Sequence, residues 1–318
     1  MSAVPNLPHR PVVAWLALVT VWIVWGSTYL AIREAVDTIP PLLMAGVRFL
    51  TAGLVMFAFV GPRHARGAAR PTAGQLRSVL IIAALLLVGG NGLLSVGETR
   101  LDSAAAALIV ATVPVWMVLI NAVVTRTRVT GTMTLTLLLG TVGVGVLIGG
   151  PGARVDVLSA AVVLFASVCW AAGSVCSRRV PLPSHPMVVT ALEMLAGGLL
   201  LIIAAAVTGE FGRLDLAAIT TRSIVGLLWL IVAGSMVAFT AYVYAIAHLP
   251  TDTVATYAYV NPMVAVALGT LLADEVLTAN LVLGGTVIIA AVVLNVGKAV
   301  TRTPRPVLPA PAEEKPGR

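Results

Sequence analysis

Ten times along the chain a run of about twenty apolar residues is closed off by a short polar break, and about twenty is the number a helix needs to cross a hydrocarbon core roughly 30 Å thick. The runs fall at 12–32, 40–61, 78–97, 103–124, 132–150, 156–177, 186–208, 223–247, 252–273 and 278–297. The expected fold is therefore an all-α membrane protein of ten transmembrane helices. Composition points the same way. Of 318 residues 59% are hydrophobic and 10% are charged, too few charges to cover a soluble domain of this size. The first run follows a short basic start, but it is long, carries Trp15, Trp22 and Trp25, and lacks a small-residue cleavage site, so it reads as a helix rather than a secretory signal.

The net charge of +7 suggests nucleic acid until the basic residues are placed. With the N-terminus in the cytoplasm, Arg33, Arg100, Arg154, Arg213 and Arg222 fall on the outer side and Arg48 within a helix, while the other basic residues, from Arg10 to Arg318, fall on the inner side. That asymmetry follows the positive-inside rule and places both termini in the cytoplasm of a bacterial inner membrane. Scattered over short loops, these charges form no stripe for nucleic acid. Cys169 and Cys176 lie seven residues apart in one run, about 10 Å along a helix, too far for a disulfide. Residues 298–318, proline-rich with mixed charges, read as a disordered cytoplasmic tail.

The chain also repeats itself. Trp25-Gly-Ser in the first run is answered 145 residues later by Trp170, with Gly173-Ser174 one turn on; the same offset takes Arg48 to Glu193, and an offset of 148 takes Ser103 to Thr251 and Pro114 to Pro262. The expected units are 12–150 and 156–297, each of five helices. Five is odd, so the second half enters the membrane from the opposite face. Inverted repeats of this kind are a recurring design of secondary transporters, with the substrate site near the midplane between the halves.

WGSTYLAIREAV at 25–36, PPLLMAGVRFLTAG at 40–53, Gly90-Asn91-Gly92, EMLAGG at 193–198 and TYAYVNPMVAVALGTLLADE at 256–275 together resemble the drug/metabolite transporter superfamily. Within it the chain is similar to the ten-helix EamA exporters, of the YedA-like inner-membrane kind. The resemblance implies a central cavity lined by the first four helices of each half, peripheral fifth and tenth helices, and export of small metabolites or amphiphilic compounds. One departure stands at the end of the fourth run, where Thr125-Arg-Thr-Arg128 replaces the Gly-Glu-Arg-like motif of many members.

Read from the residues, the candidate substrate pathway comprises Trp22, Trp25, Thr28, Arg48, Asn91, Trp170, Ser174, Glu193, Tyr257 and Asn261. Trp25 and Trp170 lie too deep for an interfacial belt and read either as walls that stack on a substrate or as packing against small residues. Arg48 and Glu193 are read as the only charges deep in the runs, where an unpaired charge costs several kcal/mol. At helical rise they sit about 6 Å apart in depth. Three readings stay open: a permanent ion pair locking the halves; a working group, with Arg48 as an anion clamp or Glu193 as a titrating coupling group; and no meeting at all. Tyr242, Tyr244, Tyr257 and Tyr259 read as an aromatic belt at the inner headgroups, although Tyr257 shares a helix face with Asn261. Asn91 among glycines reads either as a polar group of the pathway or as an interhelical hydrogen bond at a small-residue contact. Pro114 and Pro262 are expected hinges, since proline leaves a carbonyl one turn earlier without a donor.

The four histidines form no metal-ligand spacing and no phosphate-binding loop occurs, so no cofactor, metal or direct ATP drive is expected. The leading expectation is a secondary transporter, with a channel or membrane-embedded sensor, or a membrane-embedded enzyme, as alternatives. Its partners are a small-molecule substrate and the lipid bilayer, with a homodimer left open.

Overall fold

The computed structural model describes residues 11–65, 71–127, 131–149, 155–254 and 256–300, so the expected tail lies, from 301 onward, outside the described residues. Those residues hold helices and no strand. In chain order they are α1 (Pro11–Val36), α2 (Pro41–Ala65), α3 (Ala73–Gly97), α4 (Ser103–Val124), α5 (Gly131–Gly149), α6 (Val157–Ser177), α7 (Pro186–Val207), α8 (Thr221–His248), α9 (Tyr257–Leu272) and α10 (Ala279–Val300). Single helical turns at Glu210–Arg213 and Thr251–Val254 follow α7 and precede α9. Seven helices, α1 to α4 and α6 to α8, are long and apolar enough to cross a membrane, and shorter apolar helices cover Thr134–Gly149, Tyr257–Leu272 and Ala279–Leu294.

Local chemistry sets the helix starts. Thr72 and Gln75 form a reciprocal capping box, with Thr72 Oγ1 accepting from Gln75 N at 3.3 Å and Gln75 Oε1 accepting from Thr72 N at 2.9 Å. The box starts α3 at Ala73 rather than at 78, where the apolar run begins. Asp156 caps α6 by accepting from Ser159 N at 2.8 Å, and that hydrogen bonding holds its carboxyl below the usual aspartate value. Pro41 and Pro186 occupy first-turn positions, where no N–H is needed.

The helix ends sort into two faces. Arg33 and Asp37 near the end of α1, Asp102 before α4, Thr220 before α8 and Glu275 after α9 line one polar vestibule. At the opposite face Arg179, just past α6, donates to Asn121 near the end of α4, and Gln75 in the first turn of α3 donates to Leu182 O at 3.0 Å. The outer surface is apolar, with Leu54, Phe59, Leu80, Leu138 and Phe165 exposed, as lipid requires.

Inside, helices approach on small residues. Between α2 and α7 a Cβ added at Gly53 would stand 2.8 Å from Leu195 N, and one at Gly198 2.5 Å from Leu50 N. Between α5 and α10 the same holds for Gly143 and Gly284, where a Cβ on Gly284 would stand 2.7 Å from Gly143 O.

Three helices depart from regular α geometry. In α3, Ala84–Gly92 is π-helical and Leu93 N–H bonds Val88 O, five residues back. In α8, Leu230–Val237 is π-helical and Ala238 N–H bonds Ala233 O. Shifting 84–92 by the repeat offset of 145 gives 229–237, so the two segments correspond. The third departure is the break in α4 at Ala111–Thr112, just before Pro114.

Candidate functional site

Beside the irregular segments of α3 and α4 lies a cavity lined from α1, α2, α3, α4, α6, α8 and α9. Trp25, Thr28, Arg48, Asn91, Trp170, Tyr257 and Asn261 all reach it, as do Pro114 and Pro262. Trp22, Ser174 and Glu193 are not among its lining residues.

The two repeat-related tryptophans each meet a glycine in a π-helical segment of the other half. Trp25 Nε1 donates to Gly234 O at 3.2 Å in α8, and Trp170 lies so close to Gly90 in α3 that a Cβ there would stand 2.8 Å from its ring. A π-helical stretch carries one extra residue and recurs at functional sites. Around Trp25 an aromatic box closes, with ring centroids 5.2 Å to Phe239, 5.1 Å to Tyr242 and 5.4 Å to Tyr257. The expected tyrosine belt is thus divided. Tyr242 and Tyr257 turn inward, while Tyr244 stacks on His248 at 4.1 Å and Tyr259 is half-buried. The reason lies in the backbone, because α9 starts afresh at Tyr257 after the turn Thr251–Val254 and so aims its first residues at the cavity. Trp22 sits beside the box, donating to Thr256 Oγ1 at 3.1 Å and packing on Leu18, Ala245 and Val254. Ser174 is half-buried, one turn beyond Trp170.

Most polar lining groups are bound to backbone. Thr28 Oγ1 donates to Trp25 O at 2.6 Å. Asn91 Nδ2 donates to Leu86 O at 3.5 Å, within its own helix rather than across to another as expected. Asn261, 6% exposed, has its amide nitrogen oriented toward Tyr257 O and Trp22 O, each at 3.2 Å. Pro262 stands inside α9, and Ala258, whose carbonyl it deprives of a helical donor, lines the cavity. At the other expected hinge, Thr112 Oγ1 donates to Ile109 O at 2.7 Å and accepts from Trp116 Nε1 at 3.1 Å.

Arg48 is 4% exposed; its Nε donates to Ser235 Oγ at 2.9 Å and its guanidinium carbon lies 4.6 Å from the Phe49 ring centre. Among the described residues the ion pairs are Arg213–Glu210 and Arg222–Glu34, so Arg48 and Glu193 form none. Equivalent repeat positions do not bring them together: Arg48 turns to α8, and Glu193 stays half-buried on α7. The carboxylate whose field reaches Arg48 is instead that of Glu98.

Charges are also buried outside the apolar runs, and Glu98 is the most enclosed of them. One residue past the end of α3, it is 0% exposed and neither carboxylate oxygen meets full hydrogen-bond geometry, although the backbone of Arg33 lies close enough to favour the ionised form by weak hydrogen bonding. Burial first, then the neighbouring Glu275, push its carboxyl well above the usual glutamate value, against the opposing pull of Arg33 and Arg48. Glu98 falls just outside the third run, which ends at 97, so hydropathy does not single it out. The available signal was the shortness of the loop after that run, since the apolar pattern resumes at Leu101 and leaves no length to lift Glu98 clear. Glu275 is bound differently, accepting from Ser103 N at 2.8 Å and Ala104 N at 3.1 Å at the start of α4, where a carboxylate is favoured. Its repeat counterpart, 275 − 148 = 127, is Thr127.

The chain matches the EamA-like transporter family over residues 12–149 and 157–297. It is 38% identical over 286 residues to the uncharacterized inner membrane transporter YedA of Escherichia coli K12, covering 89% of this chain and 90% of that one. It is 26% identical over 281 residues to a probable terminal-alkyne amino-acid exporter of Streptantibioticus cattleyicolor, covering 88% and 92%. A crystal structure of a protein 20% identical in sequence superposes with a TM-score of 0.59 over 91% of this chain and 97% of that one, a likeness of fold. The chain belongs to the EamA-like transporter family and is a multi-pass inner-membrane protein of membrane transport.

Proposed function

We propose that the chain is a secondary exporter of a small amphiphilic metabolite or drug, working by alternating access. In this reading ten helices span the membrane as two inverted five-helix repeats, 12–150 and 156–297, with both termini in the cytoplasm and the vestibule face outward. The observation that carries it is the central cavity, to which both repeats contribute aromatic side chains and a proline-marked stretch of helix. Trp25, Tyr257, Phe239 and Trp170 place aromatic rings in its wall, and Arg48, Asn91 and Asn261 place polar residues among them. Such a mixture suits a ligand with an apolar or aromatic body and a polar end. One relative is named a probable terminal-alkyne amino-acid exporter, which agrees with a small cargo having a polar end.

The test is reconstitution of the purified protein into liposomes and uptake of a radiolabelled panel of aromatic amino acids, aromatic amines and aromatic quaternary cations. Saturable uptake of at least one, faster than in protein-free liposomes and accelerated by trans-loaded unlabelled compound, supports the reading. Uptake without saturation or trans-acceleration indicates a channel and ends it.

A further inference from the structure

One buried group interacts electrostatically with walls of both the cavity and the vestibule. Tyr29 lines the cavity, and Arg33, one turn later on the same face of α1, lines the vestibule. Glu98 acts electrostatically on Tyr29 from one side and is acted on by Arg33 and by Glu275, a second vestibule residue, from the other. Arg48 of α2, also on the cavity wall, completes the charged groups that face it. From α6, Val163 and Ser159 O close on Gly97, the residue before it. Three buried side-chain atoms among the described residues lack a hydrogen bond of full geometry: both oxygens of Glu98, and Oγ of Ser103, whose backbone N–H is held by Glu275.

We propose that Glu98 is a proton-binding site between the central cavity and the vestibule, and that its proton is the coupling ion of the transport cycle. The proposal rests on the alternating-access reading above and moves the coupling role away from Glu193. An ionised carboxylate with neither oxygen in a fully formed hydrogen bond is costly to bury, and the Glu275 carboxylate that acts on it raises that cost. In the closed arrangement described here Glu98 therefore carries its proton. When the vestibule face parts, water reaches the carboxyl, its O–H bond breaks, the proton passes to water, and the carboxylate is left beside Arg33 and Arg48. The sign follows from linkage. A group that binds its proton more tightly in the closed form stabilises that form at low pH and loses the effect as pH rises through its raised value. Acid on the vestibule side favours closure and alkali favours opening.

Two measurements on the full-length protein in lipid test this, and neither needs a substrate. Infrared difference spectroscopy at neutral pH is expected to show the carbonyl band of a protonated carboxylic acid that vanishes in Glu98→Gln, moves but persists in Glu98→Asp, and is unchanged in Glu193→Gln. Accessibility of a cysteine at Ala273, in the vestibule wall, is read with an impermeant thiol reagent after Cys169 and Cys176 are replaced by alanine. The ratio of its labelling rate in the Glu98 protein to that in Glu98→Gln cancels the reporter thiol's own titration and is expected to rise with pH. A band that survives Glu98→Gln, a ratio flat with pH, or a ratio that follows sodium instead of pH overturns the proposal. Should Glu98→Gln fail to fold, the Glu98→Asp band shift still decides the assignment. Failure here leaves carrier behaviour in liposomes untouched, and failure there leaves the infrared assignment standing.

Discussion

Trp25 and Trp170 show how residues equivalent in a repeat take different partners. Trp25 is tied by a hydrogen bond to Gly234 O and boxed by three rings, whereas Trp170 lies on Gly90. Stacking contributes on the order of 1 kcal/mol per ring beyond burial, so Trp25→Ala and Trp170→Ala should each raise the half-saturation concentration of an aromatic substrate about fivefold, at near wild-type folded yield. Unchanged half-saturation in both would reduce the tryptophans to packing. For Arg48 and Glu193 the expectation is independence, because they share no ion pair and Arg48 is held by Ser235. In a double-mutant cycle with leucine at each position, stability losses should add to within about 0.5 kcal/mol. A coupling of 3 kcal/mol or more, the scale of a broken buried pair, would contradict the separation seen here.

Helices were legible as apolar runs, but their irregularities were not. A π-helical segment changes hydrogen bonding from four residues back to five without changing hydropathy, so Ala84–Gly92 and Leu230–Val237 look like ordinary span interior. The break in α4 was better marked, since Pro114 follows it by two residues. Close helix pairs were marked only by glycines whose partners the sequence does not name. At the α5–α10 crossing Gly143 and Gly284 bring backbones into contact. Gly284→Leu should therefore cost about 1–3 kcal/mol through overpacking, seen as a lower melting temperature in lipid or detergent. The same substitution at Gly140, where an added Cβ meets nothing within 4 Å, should leave the melting temperature within a degree or two of wild type.

At the scale of the whole molecule the orientation proposed from basic-residue asymmetry has a direct test. In intact cells a single cysteine at Arg213, beside the turn Glu210–Arg213, should label with an impermeant thiol reagent, and one at Arg66, outside the described residues, should label only after permeabilisation. The reverse pattern would invert the protein and put the vestibule on the cytoplasmic side.

Hydropathy and spacing alone determined that the chain lives in a membrane as helices and that its halves are related, because lipid imposes length and apolarity on each segment locally. Much of the cavity wall was legible for a related reason: Trp25, Arg48, Asn91, Trp170 and Asn261 are polar or bulky where lipid-facing positions are apolar. Which of these residues meet was decided by tertiary structure. Arg48 turned to Ser235 instead of Glu193, Tyr242 and Tyr257 turned inward, and Glu98 was fully buried. Burial of a loop residue and the rotation of a helix about its axis depend on how neighbouring helices close on their glycines, and no single segment of sequence contains that contact.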